Sequence, residues 1–268
     1  VYAACSLFVI PLIRQSNKVL FAAAIFFALQ PIELLYILLG LLNPELTPLY
    51  LGSNDAFGAI LPQQINGSFF DVAWVNLRYG IPLNFTWAIE NGRFTQTIFL
   101  FIAGILLGRY RYLYDEGNNR LRWKKTMLYS LIGFAVFYPL YTYVPGTIDN
   151  VCVSHSLGIM LKAWMNLCMM LFYVSGITWL YHCTKPGKKL IVVAPYGKMS
   201  LTNYMTQSIF GAMLFYGWGF GLYQYCGHTV SLLLGIAFVG LQYLFCRWWL
   251  KSHKRGPFEE LWRKATWI

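Results

Sequence analysis

Charge is what this 268-residue sequence has least of. Asp, Glu, Lys and Arg make up 12% of it, about half the share that a soluble domain carries. Acidic residues are the scarcer kind, ten against 21 Lys and Arg. So little charge excludes a water-facing surface over much of the chain. Also missing are the ~10-residue alternating segments of a transmembrane β-barrel, any Cys-x-x-Cys pair and any two His within a helical turn, so the usual zinc spacings do not occur. There is no low-complexity run or clear repeat. No leader with a basic start and a small-residue cleavage site precedes the first apolar run, and the first residue is Val1. The chain therefore reads as a fragment that begins within or just before a helix.

What is present is apolar: 57% of residues are hydrophobic. They fall in long blocks rather than amphipathic stripes, and several blocks exceed the ~18 residues that a spanning helix needs. Seven such segments are predicted, at 1–13, 19–42, 94–107 (extended backward by 81–88), 127–144, 157–181, 199–218 and 230–250. From the third loop onward the Lys and Arg counts run 6, 0, 4, 0, 6. Asp115 and Glu116 offset part of the first of these clusters. Cytoplasmic loops collect Lys and Arg, so the start of the chain is expected outside and the C-terminus in the cytoplasm. The net charge of +11 reads as loop charge that orients helices, not as a nucleic-acid surface. The expected fold is all-α, a polytopic transmembrane helix bundle of about seven spans forming one domain over 1–268, without the N-terminal helices of the full protein. Residues 43–80 form an outer loop. Within it Phe70, Trp74 and Leu77 stand at helical spacing, either as an interfacial helix or as the buried face of an ordered loop. Residues 251–268 form a cytoplasmic tail whose Trp262, Trp267, Arg263 and Lys264 suit the inner headgroup region.

A charge deep in a membrane helix costs on the order of 3 kcal/mol and calls for a partner or a function. Glu33 and Lys162 stand out, at similar predicted depth in the outer half. They could pair, or each could snorkel alone. Pro31 should kink the helix that carries Glu33. His155 lies seven residues before Lys162 on roughly the same face, where it could serve as a general base or merely line an interface. Cys152 and Cys226 both fall in predicted outer loops, where a disulfide is permitted but not required. Gly104 and Gly108 form a Gly-x-x-x-Gly pattern, read as helix packing. The segment Lys198–Ser208 is dense in polar groups, and Asn203, Gln207 and Gly211 share a face at i, i+4 and i+8. Amides in hydrocarbon need partners, so this face should point inward, as interhelical glue or as the wall of a polar ligand cavity.

Two motifs carry a resemblance. One is Gly197-Lys198-Met199-Ser200-Leu201-Thr202-Asn203-Tyr204 followed by Gln207-Ser208; the other is Gly256-Pro257-Phe258-Glu259 followed by Leu261-Trp262-Arg263. They resemble the YeiB-like family of bacterial inner-membrane proteins, a domain-of-unknown-function family grouped with transmembrane acyltransferases. Lys198, Ser200 and Phe258 depart from the family's Arg, Ala and Leu. The Asp-x-Leu-Arg-Gly-like motif with which such proteins begin does not occur in this chain. The resemblance implies a protein of the bacterial cytoplasmic membrane that transfers an acyl group to a carbohydrate or lipid acceptor, with no cofactor beyond an acyl-thioester donor and no metal. On that expectation Glu33, His155 and Lys162 are the catalytic candidates on the acceptor side. Lys198, Thr202, Asn203, Gln207 and Ser208 are the substrate-binding candidates on the donor side. Membrane lipid is the expected surrounding, and nucleic acid is not a partner. A transporter of a small solute and a non-catalytic membrane partner are the alternatives.

Overall fold

A computed structural model describes residues 1–114 and 117–266; Asp115 and Glu116 of the third loop and Trp267 of the tail lie outside the described residues. Among the described residues every regular element is helical. In chain order they are α1 (Tyr2–Val9), α2 (Asn17–Ala28), α3 (Pro31–Leu42), α4 (Ser53–Asn66), α5 (Phe69–Val75), α6 (Ile81–Glu90), α7 (Arg93–Arg109), α8 (Asn119–Tyr143) and α9 (Val151–Cys183). After them come α10 (Lys185–Lys188), α11 (Ala194–Lys198), α12 (Ser200–Phe215), α13 (His228–Trp249) and α14 (Pro257–Thr266). The chain forms two compact units, Val1–Ala56 with Ile81–Gly187, and Phe57–Gly80 with Lys188–Ile268.

Among the described residues three helices are long and apolar enough to cross a membrane: α8 with its short continuation to Thr147, α9 and α13. The bent pair α2 and α3 makes a fourth if it is one broken span. α7 has 17 residues and α12 has 16, so length and composition support three or four spans and not the full expected set of seven. Leu131, Ile132 and Val136 on α8 and Leu232, Leu233 and Ile236 on α13 are all exposed. Apolar surface on this scale is not left to water; lipid solvates it at no cost.

In the first unit, Ile98, Ile102 and Leu106 form one stripe of α7. They close a core with Cys5 and Val9 of α1 and Leu20 and Ala24 of α2. α8 and α9 pair as a hairpin and come close at Gly133, where a Cβ would lie 2.8 Å from Cys168 Sγ. The start of α8 is fastened by Trp123, whose indole donates to the Tyr112 carbonyl at 2.8 Å, and by the Asn119 amide on the Arg111 and Tyr114 carbonyls. Gly104 and Gly108 do not act as a packing pair, because a Cβ at either would meet nothing within 4 Å.

The expected kink at Pro31 is a full break. α2 and α3 are bent by 48°, and Gln30 between them adopts φ 55°, ψ 68°. Proline disfavours the α region for the residue before it, and Pro31 opens α3 at a position where its missing N–H leaves no helical bond unmade. Trp164 of α9 donates to the Ala28 carbonyl at 2.7 Å, satisfying one acceptor that the break sets free.

In the second unit, Ser68 and Asp71 form a capping box at the start of α5. The hydrogen bonds from the Ser68 hydroxyl and amide hold the Asp71 carboxyl below its ordinary pKa. Of the two readings of this stretch the helix is the one that forms, with Phe70 and Trp74 on it, Leu77 just past its end, and all three side chains exposed. α12 meets α13 at Asn203, Thr206 and Phe210, and Phe210 stacks on Phe238 with ring centroids 4.1 Å apart. α14 carries the tail as a helix with Leu261 and Trp262 exposed.

All six cysteines are free, so the permitted Cys152–Cys226 bridge is not formed. Cys152 is buried instead against α3, its thiol donating to the Tyr36 carbonyl at 3.6 Å.

Candidate functional site

Two helix interruptions meet in the first unit. One is Gln30. The other is Asn91–Gly92 between α6 and α7, where Gly92 takes φ +63° as the residue preceding α7. A Cβ on Gly92 would lie 2.9 Å from each of the inward end of the Gln30 side-chain amide, Glu33 Oε1 and Ile159 Cγ2, so only glycine lets the two breaks approach this closely. With its nitrogen turned inward, the Gln30 amide donates to Thr95 Oγ1 at 2.5 Å, to the Gly92 carbonyl at 3.0 Å and to Glu33 Oε2 at 3.2 Å. The Thr95 hydroxyl also donates to the Gly92 carbonyl, at 3.0 Å. Glu33 is 3% exposed. A carboxylate so placed needs hydrogen bonds; it has the Gln30 amide, and it sits in the first turn of α3, where the helix dipole favours negative charge.

Beside this cluster opens a cavity of about 630 Å³ whose walls are mainly α7, α8 and α9, with Trp87 of α6. From α9 come His155, Lys162 and Asn166, spaced so that they share one helix face. From α7 come Arg93 and Gln96; α8 supplies Tyr141 and Thr142. Gln96 is fixed at both ends, its Nε2 donating to the Ala163 carbonyl at 3.2 Å and its Oε1 accepting from Arg93 at 3.0 Å. None of the described lining residues is acidic. Three basic side chains without a carboxylate among them make the space suited to an anionic or strongly polar group.

His155 and Lys162 share the helix face that their seven-residue spacing gives, and that face lines one cavity. Glu33 does not join them: it faces Gln30 and the Gly92 wall, and no ion pair links it to Lys162 among the described residues. Sequence reasoning missed Arg93 and Gln96, which it left in a loop and at a helix start. An Arg directly after a glycine that precedes a helix was the available signal.

The two motifs behind the family resemblance meet in the second unit. Glu259 caps α12, with Oε1 accepting from the amides of Leu201 at 2.7 Å and Thr202 at 3.1 Å. Its Oε2 accepts from the Thr202 hydroxyl at 2.5 Å, and Thr202 Oγ1 accepts from the Phe258 amide at 3.2 Å. Gly256 leaves room for this knot, since a Cβ there would collide with Glu259 Oε2 and lie 2.6 Å from Thr202 Oγ1. Burial pushes the Glu259 carboxyl up, but the Thr202 hydroxyl and the backbone amides outweigh it and leave the pKa below the ordinary value.

Asn203 is 3% exposed. Its Nδ2 donates to the Tyr196 carbonyl at 3.0 Å and its Oδ1 accepts from the Cys246 thiol at 3.3 Å. Gln242 of α13 donates to the Asn203 carbonyl and to Thr206 Oγ1, both at 2.9 Å, and accepts from the Tyr196 hydroxyl at 3.0 Å. Gln207 and Ser208 are exposed, as is Lys198. The contacts to α13 therefore run Asn203, Thr206, Phe210, and the expected shared inward face of Asn203 and Gln207 does not form. The seam against α13 follows i, i+3, i+7 spacing, and Gln207 lies just past its edge.

Apolar helices of spanning length around a buried polar cluster and a basic cavity define a helical membrane protein. The chain belongs to the family described as "Protein of unknown function (DUF418)", which matches residues 107–268. It is 31% identical over 172 residues to the uncharacterized protein YxaH of Bacillus subtilis (strain 168), covering 63% of this chain and 39% of that protein. It is 34% identical over 79 residues to the uncharacterized protein YeiB of Escherichia coli (strain K12), covering 30% of this chain and 20% of that protein. A similar stretch of 95 residues, 34% identical, occurs in an uncharacterized 39.9 kDa protein from the amylase 3' region of Bacillus acidopullulyticus, covering 35% of this chain and 27% of that protein. The chain thus spans well under half the length of the curated relatives it matches. No solved structure matches it.

Proposed function

We propose that this chain is the cavity-bearing part of an acyltransferase-like enzyme of the bacterial cytoplasmic membrane, with the acceptor bound among α7, α8 and α9. The observation that carries the reading is the convergence of His155, Lys162 and Arg93 on one polar cavity. In this scheme a ring nitrogen of His155 takes the proton from an acceptor hydroxyl as its oxygen attacks the acyl carbonyl. The carbon–sulfur bond of a thioester donor breaks, and the thiol leaves with the proton that His155 returns. Lys162 and Arg93 hold an anionic part of the acceptor or the negative charge that develops on the carbonyl oxygen. Glu33 acts through Gln30 and Gly92 on the cavity wall. In the second unit Thr202 and Asn203 hold α12 in place, and Lys198, Gln207 and Ser208 stand exposed, open to a ligand of that unit. The test is transfer of labelled acyl groups from a long-chain acyl thioester into the lipid or carbohydrate fraction of membranes that contain the full protein. His155→Gln should abolish label transfer with protein level unchanged. Undiminished transfer by that variant would remove His155 from the chemistry.

The meeting of two interrupted helices favours a second reading, solute transport, because broken helices with polar groups at the break form the binding sites of many transporters. Uptake of a labelled anion into proteoliposomes without any acyl transfer would establish it in place of the first.

The orientation proposed with this function is the seven-span arrangement, Val1 end outside and C-terminus in the cytoplasm. Its support is the 6, 0, 4, 0, 6 alternation of Lys and Arg and the exposed Leu261 and Trp262 beside Arg263 and Lys264 on α14. Reporter fusions after Arg120 and Lys188 should read cytoplasmic, and one at Asn54 should read external. A cytoplasmic signal at Asn54 rejects the arrangement.

A further inference from the structure

A second cavity, of about 740 Å³, lies on the same three helices, beyond the polar one toward the α7–α8 turn. Its walls are apolar along their length: Phe99 and Leu107 from α7, Trp123 and Tyr129 from α8, Leu167 and Val174 from α9. Its polar end is basic, with Arg122 and Lys125 among the lining. Arg122 is fixed there, donating to Asn119 Oδ1 at 3.2 Å with its guanidinium 5.2 Å from the centre of the Tyr112 ring. Gly104 also lines this space, and a side chain at that position would meet nothing within 4 Å. Glycine in mid-helix costs roughly 0.5–1 kcal/mol against alanine, and no helix contact here repays it; room in the cavity does.

We propose that this cavity is a binding site for an anionic phospholipid, with one acyl chain between α7, α8 and α9 and the phosphate at Arg122 and Lys125. An apolar slot with two cations at one end matches an amphiphile with a negative head. A hydrocarbon segment of protein has no use for the cations. The site is separate from the reactive one, since about 24 Å of α8 lies between Lys125 and Tyr141 of the polar cavity. A head at Arg122 therefore does not reach His155, and the lipid is a bound structural partner rather than the acceptor.

The experiment is native mass spectrometry of the delipidated full protein, titrated with dioleoylphosphatidylglycerol and, separately, with dioleoylphosphatidylcholine. One phosphatidylglycerol adduct is expected, at roughly 10- to 30-fold lower lipid concentration than its phosphatidylcholine counterpart, because each nearby cation favours an anionic head by roughly 5-fold. Arg122→Gln and Lys125→Gln should each reduce that preference roughly 5-fold. Gly104→Leu, which fills the slot, should remove the adduct. Equal adducts of the two lipids would overturn the head assignment, and an undiminished adduct in Gly104→Leu would overturn the chain assignment. Should Gly104→Leu fail to fold, quenching by phosphatidylglycerol with brominated chains decides instead. The wild type should lose a component of its tryptophan fluorescence that Trp123→Phe lacks, and equal quenching of the two proteins would put the chain elsewhere.

Discussion

Gly92→Ala is expected to destabilise the protein by about 2–5 kcal/mol, the sum of forcing alanine into a left-handed conformation and of overpacking a full site. The three atoms that a Cβ would meet at 2.9 Å belong to three different partners, Gln30, Glu33 and Ile159. None can retreat freely. Gln30 and Glu33 are buried and joined to each other and to Thr95, and Ile159 lies on α9 between the cavity residues His155 and Lys162. Relief by shifting the start of α7 would carry Arg93 and Gln96 with it, so the substitution should also impair whatever binds in the cavity. Thermal unfolding of the purified protein in detergent measures the first effect. Gly104→Ala is the control, because its methyl meets nothing within 4 Å and alanine is the better helix former by roughly 0.5–1 kcal/mol. If Gly92→Ala unfolds no earlier than Gly104→Ala, the close approach of the two breaks is not a feature of the folded protein.

The long apolar blocks made the helical class legible, because a run of that length has few other uses. Particular helices were legible for particular reasons. The spacing of Phe70, Trp74 and Leu77 allowed a short helix beside a looser alternative, and the spacing of His155 and Lys162 gave their shared helix face, though not the cavity they line. The breaks were harder. Pro31 signals a disturbance, but whether a helix kinks or stops depends on whether a partner such as Trp164 satisfies the freed carbonyl, and that partner lies 136 residues away. Long-range partners explain the other failures as well. Asn203 and Gln207 share a face on a helical wheel, yet which edge of that face is buried is decided by Gln242 and Cys246 of α13. Glu259 could be seen only as part of a tail motif, since its ligands are the amides of a helix that begins 59 residues earlier.

That tail motif yields the second large effect. Glu259→Ala removes a cap on α12 made of two charge-assisted bonds from backbone amides and one from a hydroxyl, and it should cost about 2–4 kcal/mol on the scale of such bonds. The loss is larger than for an ordinary surface cap, because Thr202 is 1% exposed and its hydroxyl and amide would be left without their acceptor. The carboxylate form makes these bonds, so the contribution depends on pH in a definite direction. The folded pKa lies below the ordinary value of 4.5; the unfolded chain therefore takes up a proton first as pH falls, and stability drains away below about that value. Above it the contribution is complete and flat. The wild type should thus lose stability as pH falls below about 4.5 by an amount that Glu259→Gln does not show, while Glu259→Gln should be the less stable protein at pH 7. Identical pH profiles for the two would mean that Glu259 is not an ionised cap, and the meeting of the two family motifs would then need another cause.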